Sequence, residues 1–396
     1  VADYRTVDVL DDQLGLMVGR LLVSRARGVE RYRFTYDDDF VGHPHSYDLG
    51  PEQPRSSTAL ATAHLLAAFT DAAPDRWGRT LIDRGRTGHV FESDYLFEVH
   101  DPLRQGALRF RENGTWLNQS GTVPRIVDLP PLRALARDVV AGDPKRVHLA
   151  AKELLDAGTS ALGGAHPKVS VLGEDGTLYL AKLAWEPADS HHVRNEHATL
   201  LVMRELGLRS VGAPILIGDH AAETALLIPR FDRTPTGRIA YASAKTLLGA
   251  AEGEHGDYLD IAAVMEESGA QHDDKVELFR RVALGALIHN TDDHLRNHGF
   301  VRESGRWRLS PVFDVNPNTD LAKTHATALD GRSDSEGMLT ALPAAAQALG
   351  VERDAARDFV DHVHDAVQTS PYLSDEVKAM ETDLHTQAVS ALRAAN

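Results

Sequence analysis

The residues best suited to chemistry fall in one stretch, residues 287–318, which reads LIHNTDDHLRNHGFVRESGRWRLSPVFDVNPN. An apolar run drops into a polar cluster of Asn290, Asp292, Asp293, His294 and Asn297. Two short strand-like segments, 299–302 and 307–309, follow around a turn at Glu303-Ser304-Gly305. Beyond them Asp314 stands between Phe313 and Val315. Two acids and an Asn carried by two turns that flank a hairpin suit the holding of divalent cations against phosphate oxygens. Magnesium takes oxygen ligands and relies on one or two carboxylates plus the phosphates themselves. One more carboxylate is then free to orient a nucleophilic hydroxyl. The chemistry expected here is phosphoryl transfer, with metal and base in the same stretch.

Such a stretch needs elements to aim it and a nucleotide to act on. Val276, Phe279, Val282, Ala283, Ala286 and Leu287 form one apolar stripe, which predicts a core helix over 274–288 delivering 290–297 into a cleft. Upstream, small residues and the pair Gly163-Gly164 lead through Ala165, His166 and Lys168 into two strands, 169–172 and 178–183. Glycines let backbone N–H groups approach phosphates closely. The GxxxxGK[ST] spacing is absent and no helix follows, so this is not a Walker loop. A glycine-rich loop that opens into a hairpin is how protein kinases cover nucleotide phosphates. Lys182 lies among apolar neighbours in YLAKLAW. A lysine in a buried strand needs a partner, and Glu196, near the start of a helix over 193–206, offers one. The alternative is an edge lysine whose ammonium reaches water. The apolar run Leu226-Leu227-Ile228 leads into Pro229-Arg230-Phe231-Asp232. A segment leaving a small lobe in this way meets an adenine edge through its backbone. Pro229 could only accept there, and the Phe231 N–H could donate.

The chain has 396 residues, enough for two or three structural units. Three segments are expected: 1–125 as a mixed α/β subdomain, 126–242 as the nucleotide-binding region, and 243–396 as a helical lobe. In the first, strands are predicted over 6–10, 15–23 and 31–36, and an amphipathic helix over 58–69. PDRWGR, residues 74–79, reads as a helix start with its proline at the first position and Trp77 in the core. A late helix is expected to begin at Pro343. Cysteine is absent, which excludes disulfides and thiolate metal sites. No run of about 18 apolar residues is present, and the acidic N-terminal sequence has no basic-then-apolar leader pattern. A cytoplasmic protein without membrane association is expected. The net charge is −16, from 58 acids against 42 bases, a poor composition for binding DNA unaided.

GGAHPK, the strand lysine, RFDR, NTDDHLRNHGF and LSPVFDVNPN occur in this order and resemble the HipA family of serine/threonine kinases. PDRWGR and GALRF resemble its N-terminal subdomain, so the likeness covers nearly the whole chain. The resemblance implies an α+β, two-lobed protein-kinase-like fold that uses ATP and magnesium. By position, Asp292 matches the catalytic aspartate, Asn297 and Asp314 the metal pair, and Lys182 the ATP lysine. Gly163, Gly164, Ala165, His166 and Lys168 match the phosphate loop, and Pro229, Phe231 and Asp232 the adenine-contacting segment. Asp293 and His294 fall to supporting roles. Family loops often carry an autophosphorylated serine seven residues before the loop lysine. Here that position is Ala161, with Thr159 and Ser160 just before it, so Ser160 is the candidate. The family's toxins phosphorylate proteins such as aminoacyl-tRNA synthetases and pair with a small helix-turn-helix antitoxin. That partner would supply contact with DNA. Rival readings are a related kinase without a toxin role, a catalytically silent binding protein, and a metal hydrolase, the last without an HExxH motif in its support.

Overall fold

The computed structural model describes residues 3–119, 122–158, 166–186, 189–218 and 220–394. The fold is α+β, with a mixed N-terminal region followed by a predominantly helical C-terminal one. Contacts divide the chain into two compact units, Val1–Ser190 with Ile217–Ala242, and His191–Leu216 with Ser243–Asn396.

The first unit opens with three antiparallel strands, β1 (Asp3–Asp11), β2 (Leu16–Ala26) and β3 (Val29–Tyr36). They obey the two-residue period of strands: Val7 and Val9 on β1, and Tyr32, Phe34 and Tyr36 on β3, all turn inward. Gly19 of β2 is required, because a Cβ there would stand 2.2 Å from the Thr35 carbonyl oxygen. β4 (Leu60–Thr62), β5 (Leu108–Glu112) and β6 (Thr115–Trp116) complete a six-stranded sheet in the order β4-β3-β2-β1-β5-β6. β4 overturns the helix expected over 58–69, of which only 67–69 are helical, as the start of the short helix Ala67–Asp71. Leu60 and Thr62 instead pair with Phe34 and Tyr32 on the edge of β3. The Thr62 hydroxyl donates to the His64 carbonyl at 2.6 Å, a local bond that competes with helix formation.

A second antiparallel group is formed by β7 (Lys168–Leu172), β8 (Leu178–Leu183) and the strand Ala225–Pro229. Val169 and Val171, Ala181 and Leu183, and Ala225 and Leu227 point to one side and are buried. They pack with Leu132, Ala136 and Val139 of the helix Leu129–Ala141 and with Ala151 and Leu154 of the helix Val147–Asp156. Trp77 and Leu81, from the helix Arg76–Gly85, share this core. PDRWGR therefore anchors the core as expected, although Asp75 is the helix N-cap and Pro74 lies outside.

The second unit is built on helices. His272–Leu287 is the central one, buried from Leu278 to Leu287 except at Arg280, as its apolar stripe predicts. The helices Ser335–Ala348, Arg353–Thr369 and Asp375–Ala394 complete the scaffold. The first of these begins well before Pro343. The Asp334 side chain accepts the Gly337 N–H at 2.8 Å and starts the helix there. Among the described residues no helix is long and apolar enough to cross a membrane.

Candidate active site

The turn that follows helix His272–Leu287 is held from below by buried polar groups. His289 takes a positive φ of 52° and is fully buried. Its Nδ1 lies 2.9 Å from the Asn318 carbonyl and its Nε2 3.2 Å from the Lys323 carbonyl. Asp293 is the anchor. Its carboxylate accepts the Tyr258 hydroxyl, and His298 Nε2 stands 3.1 Å away, near enough for an ion pair though poorly aligned for a hydrogen bond. Burial alone would raise the Asp293 pKa, but the charge of His298 and the Tyr258 hydroxyl hold it below the ordinary carboxylate range. The Thr327 hydroxyl donates to the Asp293 backbone carbonyl. Asp293 is thereby spent on structure.

Its neighbour Asp292 points outward. Asp292 is exposed, and its carboxylate makes no hydrogen bond or ion pair among the described residues. Asn297 is brought to it: its Nδ2 donates to the Asp292 carbonyl at 3.0 Å and its N–H to the His294 carbonyl at 2.8 Å. With the amide nitrogen committed, Oδ1 is the atom left to meet a cation.

The hairpin Gly299–Glu303 and Arg306–Leu309 then carries the chain to Asp314. Arg209 and Arg281 steady its end by donating to the Leu309 and Ser310 carbonyls at 2.6 and 2.7 Å. Asp314 has a φ of 58°, a left-handed conformation uncommon outside glycine and often found at functional turns. The segment after it is stitched to the 288–291 turn. Asn316 N–H donates to Asn290 Oδ1 at 3.3 Å, and Asn318 Nδ2 to Thr291 Oγ1 at 2.7 Å. Asp292, Asn297 and Asp314 thus sit on two turns of one unit that share hydrogen bonds. The donors they offer are oxygens, and no cluster of three His, Cys, Asp or Glu that could hold a metal ion occurs among the described residues. Such a sparse, hard set fits magnesium, which completes its shell with phosphate and water.

In the first unit Lys182 is buried on β8, opposite Leu226 on one side and Lys168 on the other. Glu196, its expected partner, lies fully buried on the helix Ser190–Glu205, which belongs mainly to the other unit. Gly163, Gly164, Ala165, Ser160 and Ala161 lie outside the described residues. His166 is half-exposed, with Nδ1 3.1 Å from Asp189. Lys168 is 2% exposed and its Nζ lies 3.1 Å from Asp75. Pro229 ends its strand opposite Tyr179, and Phe231 tilts against Tyr241 with ring centroids 5.9 Å apart. Asp232 is buried and saturated. It accepts from Arg230 at 2.5 and 2.7 Å, from Arg233 at 2.8 Å and from the Gly106 N–H at 2.7 Å. Burial opposes its ionisation, yet Arg230 and Arg233 hold it well below the usual carboxylate range. RFDR is therefore a bracket that ties the strand Ala225–Pro229 to GALRF.

Sequence reasoning did not foresee Tyr258, His298 or His289 as supports, nor Asp75 as the partner of Lys168. Only the last had a local signal, an acid one residue after a proline and ahead of a helix.

The HipA-like C-terminal domain matches residues 160–370, more than half of the chain. The chain belongs to the HipA-like family. A putative kinase of Haemophilus influenzae is 29% identical to it over 164 residues, 37% of this chain and 48% of that protein. Putative kinase Y4dM of Sinorhizobium fredii is 30% identical over 138 residues, 31% of this chain and 33% of that one. The chain thus spans about half the length of the first relative and a third of the second. A solved structure, the HipA, HipB and operator DNA complex of the Shewanella oneidensis MR-1 toxin–antitoxin system, matches with a TM-score of 0.68. That match has 16% identity and covers 98% of this chain and 97% of the other. At that identity the likeness is one of fold, and the fold is the two-lobed, kinase-like one.

Proposed function

We propose that this chain is an ATP-dependent serine/threonine protein kinase of the HipA type. The observation that carries the reading is the contrast inside Asp292-Asp293: Asp293 is buried and spent on structure, while Asp292 is exposed and unspent beside Asn297. Asp292 orients the substrate hydroxyl and accepts its proton. Asn297 Oδ1 and the Asp314 carboxylate hold magnesium, which when bound neutralises charge on the phosphates. Lys182 grips phosphate oxygens. Gly163, Gly164, Ala165 and His166 cover the phosphates, and the backbone of Pro229 and Phe231 meets the adenine. Catalysis is then positioning and charge neutralisation, as phosphoryl transfer requires little covalent help from protein.

The substrate class is a protein hydroxyl, with a component of translation such as an aminoacyl-tRNA synthetase as the target and growth arrest as the consequence. Ser160 is the autophosphorylation site. A small helix-turn-helix antitoxin is the partner, as HipB accompanies HipA on operator DNA in the Shewanella complex, and it supplies the DNA contact that a chain of net charge −16 does not invite. The reading places the protein in the cytoplasm. Transfer of label from ATP in a cell lysate, with mass spectrometry of the labelled protein, tests it. Loss of transfer in Asp292→Ala with ATP binding retained is expected, and equal transfer in that variant overturns the assignment. Absence of phosphate on Ser160 after incubation with Mg-ATP removes the autophosphorylation claim alone.

A further inference from the structure

Lys168 closes the sequence GGAHPK and opens β7, so it is the first strand residue after the glycine-rich run. Its side chain does not reach outward to a ligand. It is 2% exposed, and its ammonium lies 3.1 Å from Asp75 Oδ2. The other oxygen, Asp75 Oδ1, accepts the Gly78 N–H at 3.2 Å and caps the helix Arg76–Gly85. Two residues on, Trp77 donates its indole N–H to the Lys168 backbone carbonyl at 3.1 Å. One short motif of the N-terminal subdomain therefore holds both the side chain and the main chain of the residue that ends the glycine-rich run.

The register adds a second constraint. Lys168 and Lys182 are direct cross-strand partners in the β7–β8 ladder. Directly opposed residues in an antiparallel pair project to the same face with Cβ atoms about 5 Å apart. Two buried ammonium groups in that relation repel unless each is compensated. Asp75 compensates Lys168 and draws its ammonium toward the helix Arg76–Gly85.

We propose that Asp75, Trp77 and Lys168 form a positioning clamp for the nucleotide site. The clamp fixes the exit of the glycine-rich loop and prevents the charge of Lys168 from competing with Lys182, so that Lys182 alone of the pair meets phosphate. Lys168 is then a positioning residue and not an ATP ligand. This inference rests on the nucleotide-binding reading above.

The test is the affinity of full-length protein for the magnesium complex of the non-hydrolysable analogue AMPPNP, measured by calorimetry beside the melting temperature of the ligand-free protein. Asp75→Asn leaves a buried ammonium unpaired and can fail to fold, so the double variant Asp75→Asn with Lys168→Met accompanies it, removing both charges together. Lys168→Arg keeps the ion pair. The clamp predicts that Lys168→Met and the double variant weaken AMPPNP binding alike, by about tenfold, while Lys168→Arg binds as the wild type does. A folded double variant with wild-type affinity overturns the proposal, since a purely structural pair would lower the melting temperature alone. A large loss in Lys168→Met with wild-type affinity in a folded Asp75→Asn also overturns it, in favour of direct contact between Lys168 and phosphate. Failure of the underlying reading looks different: the wild-type protein would not bind AMPPNP, or Lys182→Met would bind it unchanged.

Discussion

The turn at Asn290–Asn297 and the bracket at Arg230–Arg233 are similar on paper and differ in how their acids are used. Each sets acids among basic or amide neighbours just after an apolar run. In the bracket, Asp232 is 1% exposed and both its oxygens are occupied by Arg230, Arg233 and the Gly106 N–H. In the turn, Asp293 plays that part and leaves Asp292 with an unspent carboxylate at the surface. A carboxylate with its lone pairs filled can hold a fold together but has nothing left with which to take a proton or a metal. What separates scaffold from chemistry here is saturation of hydrogen-bonding capacity, not residue type.

The contrast breaks most visibly at Asp292. Asp292→Ala should lower phosphoryl transfer by about a thousandfold and leave the urea midpoint of unfolding where it was, because that exposed carboxylate makes no hydrogen bond or ion pair among the described residues. Asp232→Asn should do the reverse. It strands Arg230 and Arg233 in the interior and should cost about 3–5 kcal/mol of stability, read from urea unfolding followed by tryptophan fluorescence. Nucleotide affinity of the folded protein should be unchanged, since Asp232 has no capacity left for a ligand. A large loss of affinity without loss of stability would restore Asp232 to the adenine-contacting segment.

Asp293 lies between these extremes. Asp293→Asn removes the charge that Tyr258 and His298 converge on and should cost about 2 kcal/mol near neutral pH. The sign of its pH dependence follows from the direction of its shift. The folded pKa is below the unfolded one, so its contribution is present above about pH 4 and is lost as the pH falls through the folded value. Acid unfolding of Asp293→Asn should accordingly be the shallower of the two. An identical acid slope in wild type and variant would mean that Asp293 is not the anchor of the turn.

Much of this arrangement was legible in the sequence. Period-two burial gave β1 and β3, and the stripe from Val276 to Leu287 gave the helix that carries the turn. NTDDHLRN and SPVFDVNP pointed to the family, whose domain spans residues 160–370. The failures share a cause. Residues 58–69 have helical periodicity, but β3 needed an edge partner, and pairing over Leu60–Thr62 overrode local propensity. The division of labour between Asp292 and Asp293 was assigned only through resemblance, because Tyr258 and His298 come from a distant helix and from beyond the turn. Asp75 and Gly106, the partners that hold Lys168 and Asp232, could not be paired with them from local sequence because they lie 93 and 126 residues away.

The smallest expected effect belongs to His325, one of 20 histidines in the chain. It lies beneath the Asn290–Asn297 turn, with Nδ1 3.1 Å from the Asn290 carbonyl and its ring 5.0 Å from that of His289. Burial, and after it the neighbouring His289, pull its pKa from 6.5 to about 4, with Asp293 and Asp334 opposing. A histidine whose folded pKa is depressed binds its proton more readily in the unfolded chain. Its neutral form therefore costs nothing above about pH 6.5, and stability drains as the pH falls from there toward 4, by at most about 1.4 kcal/mol per pH unit. His325→Asn keeps a donor for Asn290 and removes the titration. At pH 7.5 the variant should differ little from wild type, and at pH 5.5 it should be the more stable by about 1 kcal/mol. If the two unfolding curves stay parallel across that range, His325 is not held neutral, and the turn that presents Asp292 rests on His289 and Asp293 without it.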